Sequence, residues 1–239
     1  MPGRLIIVPT PVGNLGDMTP RAVEVLRSAD LVLAEDTRTS AVLMKHFEIT
    51  TPMASHHKFN EHDTVASVAD RIESGQTVAL ISDAGTPGIS DPGFLISREC
   101  RSRNLPVETL PGATAFVPAL VSSGLPCDRF FFEGFLPQKK GRATRLEFLA
   151  KLNVTFVVYE SPLRLARTLA ELAASCGPLR PAAVCREISK LHETIHRGTL
   201  AELAEYFTQN IAKGEIVIVV GTQNDDAPRT HRNKYKEDL

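Results

Sequence analysis

The chain has 239 residues, of which 43% are apolar and 23% charged, and its formal net charge is −1. That length suits one large domain or two small ones with a real core. The ordinary composition excludes collagen-like and low-complexity classes, and no apolar run approaches the length of a membrane span. Net charge gives no sign for or against a nucleic-acid partner, so any basic surface has to be local.

The opening "MPGRLIIVPTP" is too short and too proline-broken for a signal peptide, so a cytoplasmic protein is expected. "LIIV" (5–8) is apolar throughout, as a strand covered on both faces is. A loop rich in glycine and proline follows, "PTPVGNLGD" (9–17), and Thr19-Pro20 then reads as an N-cap with proline at the first helical position. "LVLA" (31–34) is a second strand, and "AEDTRTS" (34–40) leaves it with Glu35, Asp36 and Arg38. There Asp36 or Thr37 can cap a helix, or the charges can form a site. "HHKFNEHD" (56–63) holds three histidines but neither HxxxH nor HExxH, so no metal is expected. Val65, Val68, Ala69 and Ile72 then repeat at helical spacing.

"VALI" (78–81) is followed by "SDAGTPGISDPG" (82–93), with three glycines, two prolines and two aspartates in twelve residues. "LPGATA" (110–115) follows "VET" in the same way. In an open α/β sheet, ligands bind beyond the carboxyl ends of the strands, and these three loops are expected to line one crevice there. Glycine admits a ligand close to the backbone, and proline holds a loop's shape. Neither GxGxxG nor GxxxxGK[ST] occurs, which removes a nicotinamide enzyme and a P-loop.

"SGLPCDRFFFEGFLP" changes the character of the chain near residue 125. A first domain of residues 1–125 and a second of 126–222 are expected. "PQKKGRATR" (137–145) carries Lys139, Lys140, Arg142 and Arg145 without an acid, as a solvated face or a phosphate contact would. "FVVY" (156–159), a strand at 182–185 and "IVIVV" (216–220) continue the pattern. "REISKLHE" (186–193) offers Arg186, Glu187 and Lys190 as an ion-pair cluster or a site. Thr199 and Glu202 have capping-box spacing before Leu200, Leu203, Ala204 and Phe207. The tail at 223–239 is polar and aperiodic, and disorder is expected of it. Strand–helix alternation of this kind implies an α/β fold with a largely parallel sheet. The four cysteines form no CxxC pair and read as buried, free thiols.

Taken together, "VPTPVGNLGDMTPRA", "AEDTRT", "SDAGTPGISDPG", "LPGATA", "EGFLP", "YESPLRL", "REISK" and "KGEIVIVV" resemble, in this order, the bacterial small-subunit ribosomal RNA (cytidine-2′-O)-methyltransferases of the tetrapyrrole methylase superfamily. The resemblance runs from about Leu5 to Val220. It implies two α/β domains with S-adenosylmethionine in the cleft between them, a homodimer, and ribosomal RNA or the small ribosomal subunit as partner. Carried over by motif, it implies cofactor contacts at Pro11, Thr86, Ile89, Thr114, Ala115, Tyr159, Ile188 and Ile216. Gly88 stands where this branch commonly has leucine. Members of the branch commonly continue into a helical extension, so the resemblance puts more of the RNA contact on the stretch at 139–145.

Transfer to a ribose hydroxyl calls for a general base. Asp36, Glu61 and Glu187 are the candidates, unranked. Arg38, Lys139, Lys140, Arg142, Arg186 and Lys190 are the candidate RNA contacts. Two rivals share the fold: a methyltransferase acting on a small molecule of tetrapyrrole type, and a non-catalytic RNA-binding assembly factor.

Overall fold

The computed structural model describes residues 3–222. The tail at 223–239 lies outside the described residues, and with it the disorder expected there. The chain builds two five-stranded sheets. The first contains β1 (Arg4–Ile7), β2 (Leu31–Ala34), β3 (Met53–Ser55), β4 (Thr77–Ile81) and β5 (Val107–Thr109). Their order is β3-β2-β4-β1-β5, and every neighbouring pair is parallel. Parallel neighbours need crossovers, and α1 (Pro20–Ser28), α2 (Thr37–His46), α3 (Glu61–Glu73) and α4 (Phe94–Ser102) occur in them. Both faces of the sheet are therefore covered. Ile6 and Val8 enter a core with Leu26, Val32 and Ile81, while Leu5 and Ile7 enter another with Ile72, Leu80 and Ile96. The unbroken apolar run of the first strand follows from those two dry faces.

The second half contains α5 (Phe116–Ser123), β6 (Phe130–Phe135), α6 (Arg142–Ala150), β7 (Thr155–Glu160), α7 (Leu165–Cys176), β8 (Pro181–Arg186), β9 (Thr194–Thr199), α8 (Leu200–Gln209) and β10 (Ile216–Val220). Its sheet runs β6-β7-β10-β8-β9. Only β6 and β7 are parallel; β10 is antiparallel to both β7 and β8, and β8 to β9. The largely parallel sheet expected from the sequence thus holds for the first half and is corrected for the second. The short turn at 187–193 leaves no room for a crossover helix, so β8 and β9 pair as a hairpin. β10 then enters between β7 and β8. Ile216, Ile218 and Val220 face the core under α7 and α8, and Val217 and Val219 face Ala119 and Leu120 of α5. Although α5 precedes residue 125, it packs on the second sheet.

Local signals operate as the side-chain chemistry requires. Thr19 accepts from the Ala22 N–H with Pro20 beside it, and Thr199 and Glu202 form a reciprocal capping box. Cys100, Cys176 and Cys185 are buried free thiols, whereas Cys127 is exposed in the loop after Pro126, which corrects the buried reading for that one.

Candidate active site

The carboxyl ends of β1 and β4 lie side by side at the middle of the first sheet, because those strands pair directly. The loops that leave them are stitched together. Thr10 and Gly85 exchange two backbone hydrogen bonds of 2.9 Å, and the Thr10 hydroxyl donates to the Ser82 carbonyl at 3.0 Å. The Thr86 hydroxyl donates to the Ala113 carbonyl at 3.0 Å, which ties in the loop after β5. Within 82–93 four residues take left-handed backbone: Gly85, Gly88 and Gly93, with φ of 83°, 84° and 141°, and Ser90, with φ of 82°. A chain that reverses this often at one strand end needs glycine at most of those positions. Ser90 is the strained exception. The second half meets it through a bulge in β6 between Phe132 and Gly134. A Cβ on Gly134 would stand 3.1 Å from the Ser90 hydroxyl oxygen, so the bulge and a glycine together allow the approach.

Between the two sheets lies a cleft of about 470 Å³, within the range of small-molecule sites. The first sheet's loops contribute Val12, Gly85, Thr86, Ile89, Thr114 and Ala115 to it. The second sheet contributes Tyr159 and Glu160 from β7 and Ile216 and Val217 from β10. Those two strand ends coincide because Ile216 pairs with Glu160 and Val217 with Tyr159. Of the residues expected to hold a cofactor, Thr86, Ile89, Thr114, Ala115, Tyr159 and Ile216 line this cleft. Pro11 lines a neighbouring cavity of about 540 Å³ instead, with Arg38 and Asp83. Ile188 is buried behind the wall in an apolar cluster with Val12 and Val217.

Three carboxylates that the sequence did not single out as bases line the cleft: Glu35, Asp83 and Asp91. Burial pushes the Asp91 carboxyl up to about 6, and the charges of Glu35 and Asp83 add to the rise. Glu35 is raised by burial and then by Asp83. Asp83 is raised chiefly by burial, although it accepts a hydrogen bond from the Asp36 N–H at 3.2 Å. Glu160 also reaches the cleft wall, but its carboxylate is committed. It accepts from the Ser161 N–H, Arg164 Nε and the Thr168 hydroxyl, each at 2.7 Å.

The three candidate bases sit elsewhere. Asp36 caps α2 through the Arg38 N–H, and hydrogen bonding to the Arg38 guanidinium holds its carboxyl down at about 2. Glu187 accepts from the Glu215 N–H at 2.8 Å and from Lys190 at 3.0 Å, which lowers its carboxyl as well. Neither lines the cleft. Glu61 lines a third cavity, which shares Glu35, Ser90, Asp91 and Phe135 with the cleft. The signal for the missed carboxylates was present: Glu35 directly follows a core strand, and Asp83 and Asp91 bracket the densest glycine loop.

The basic candidates divide in the same way. Lys139 and Lys140 are exposed, and the Arg38 side chain is 89% exposed beside Asp36. Arg142 is 6% exposed and is no surface cation. It donates to Glu171 at 2.6 Å, to the Pro137 carbonyl at 3.1 Å and to the Thr168 hydroxyl at 2.7 Å. Helical phase turns it inward, so the RNA contact expected there is corrected to a structural role. Arg186 spends its donors on Thr194, the Lys213 carbonyl and the His192 carbonyl. Lys190 pairs with Glu187 and Glu215, while its methylenes press on Gly13, where a Cβ would stand 2.3 Å from Lys190 Cγ. Arg186 thus braces the 187–193 turn within the second half, and Lys190 presses it on Gly13 of the first.

Residues 4–204 match the family described as Tetrapyrrole (Corrin/Porphyrin) Methylases. A protein of Synechocystis sp. named Ribosomal RNA small subunit methyltransferase I is 47% identical over 239 residues, covering 99% of this chain and 86% of that protein. Its namesake in Xylella fastidiosa is 46% identical over 232 residues, covering 95% and 85%. Among solved structures, diphthine synthase superposes with a TM-score of 0.72 at 15% identity, covering 92% of this chain and 90% of that one. Uroporphyrin-III C-methyltransferase from Thermus thermophilus, complexed with S-adenosylhomocysteine, gives 0.64 at 21% identity, covering 92% and 97%. These structural likenesses show the α/β fold with two sheets.

Proposed function

Because the chain belongs to the tetrapyrrole (corrin/porphyrin) methylase family, we propose that it methylates the ribose 2′ oxygen of a cytidine in small-subunit ribosomal RNA, with S-adenosylmethionine as donor. What carries the proposal is likeness over 99% of the chain to a relative named for small-subunit ribosomal RNA methylation. The cleft supports it. Ile89, Phe116, Ile216 and Val217 offer apolar walls for a nucleoside and a thioether chain, and Thr86 and Gly85 bring backbone to the same surface. When bound, the donor supplies an activated methyl group on a sulfonium. Residues 1–125 and 126–222 form two domains either side of the cleft in this reading. It places the reaction in the cytoplasm, on a homodimer.

Asp91 is the base in this mechanism. It lines the cleft, and a carboxyl titrating near 6 is well matched to taking a proton at neutral pH. Glu35 and Asp83 keep it basic by their own charge, and a cationic donor in the cleft favours the ionised forms of all three. With the donor held in the cleft and its methyl passing to the ribose oxygen, Asp91 would take the hydroxyl proton. Asp36 is too weak a base at about 2, and Glu187 is committed to the Glu215 N–H and Lys190.

Incubation with small ribosomal subunits and methyl-labelled donor, followed by nuclease digestion and mass spectrometry, tests the proposal. The label is expected on the ribose of a single cytidine. Label on a base, or none on RNA, refutes it.

A further inference from the structure

We infer that the cavity adjoining the cleft is the pocket for the target's nucleobase, with Phe94 and Phe135 as its stacking surfaces and Glu61 as the reader of its amino edge. The inference rests on the function just proposed and names how that site selects its substrate. The cavity measures about 530 Å³ and shares Glu35, Asp91 and Phe135 with the cleft. A ribose at Asp91 therefore leaves its base facing this space. Phe94 is 63% and Phe135 56% exposed, and both line it. Large aromatic rings left open beside a reaction centre suit an unstacked base, because single-stranded RNA is recognised by stacking on such rings. The Arg98 guanidinium lies 5.3 Å from the centre of the Phe94 ring, and Lys58 and His62 line the same space. The Arg98 and Lys58 cations at this rim complement phosphates on either side of the target. The Glu61 carboxylate takes no hydrogen bond or ion pair among the described residues. A carboxylate reads cytosine by accepting from its exocyclic amine, which uracil lacks.

The test measures kcat/KM for methyl transfer to small-subunit RNA, with donor affinity measured separately by calorimetry. Phe94→Ala is expected to lower kcat/KM about tenfold or more, mainly through KM. Donor affinity should stay unchanged, since Phe94 does not line the cleft, and Phe94→Tyr should restore the rate. On RNA with an abasic ribose at the target, wild type and Phe94→Ala should become equal. Glu61→Gln is expected to reduce the preference for cytidine over uridine at the target about tenfold. An unchanged kcat/KM for Phe94→Ala, or an equal loss on the abasic substrate, overturns the pocket. A wild-type chain that leaves RNA unmethylated overturns the proposed function, and the pocket with it.

Discussion

Asp91→Asn yields a protein that is more stable than wild type and nearly inert. Both effects come from one cause. Burial and the charges of Glu35 and Asp83 push the Asp91 carboxyl from its ordinary 3.8 up to about 6 in the fold. Below 3.8 folded and unfolded chains both hold the proton, and the residue is neutral to stability. Between about 4 and 6 the unfolded chain releases it while the folded chain retains it, so stability falls as pH rises. Above 6 the folded state carries the full cost of an ionised, half-buried carboxylate beside Glu35 and Asp83. A shift of this size corresponds to about 3 kcal/mol, reduced to about 1–2 kcal/mol by solvent screening at a partly open site. Asparagine removes that cost, so the variant gains stability at pH 7.5 and no advantage near pH 4. The same change removes the base and lowers single-turnover methyl transfer about a hundredfold or more. Denaturant melts at the two pH values, with quenched-flow transfer, measure both. A variant no more stable than wild type at pH 7.5, or one that retains its rate, contradicts the assignment. Active sites commonly hold such costly groups against the stability of the fold.

The basic stretch at 139–145 separates into two kinds of residue, and mutation distinguishes them. Arg142→Ala removes a 6%-exposed guanidinium and takes one hydrogen bond from Glu171, which keeps Arg167, and one from the Thr168 hydroxyl. Thr168 in turn holds the 3%-exposed Glu160 at the cleft wall. Breaking one partner of a buried network costs about 3 kcal/mol, so thermal unfolding moves down by several degrees. Lys139→Ala with Lys140→Ala leaves the melting temperature in place. It lowers RNA affinity and flattens the dependence of binding on salt, because two exposed cations no longer displace counterions. Melts and binding titrations at several salt concentrations read both effects. Equal stability losses for the two variants, or an unaltered salt slope for the lysine pair, contradict the division.

Much of the molecule is legible in its sequence because the relevant signals are local. "LIIV", "LVLA", "VALI" and "IVIVV" announce strands through faces that are dry on both sides, and Thr19 and Thr199 mark helix starts through their own hydroxyls. What escapes is decided by neighbours distant in sequence. β9, "TIHRGT", is a polar edge strand that pairs with β8 and is tied to α5 by Arg197 and to α8 by His196. β6, "FFFEGF", has no alternation to read, because a bulge at Gly134 interrupts its register. At the site, motif and position mark the glycine loops and bring six of the eight residues expected at a cofactor to the cleft. The proposed base is not marked in this way, because the raised titration of Asp91 comes from burial and from Glu35, 56 residues away in the chain. Asp36 beside it in sequence is instead held down by Arg38. A list of carboxylates near strand ends cannot separate these two environments.

A crystal structure with S-adenosylhomocysteine bound decides whether this cleft is the donor site. The nucleoside is expected between the 82–93 loop and the start of β10, with its sulfur turned toward Asp91. A ligand lodged outside that cleft, or one whose sulfur faces away from the three carboxylates, would contradict it.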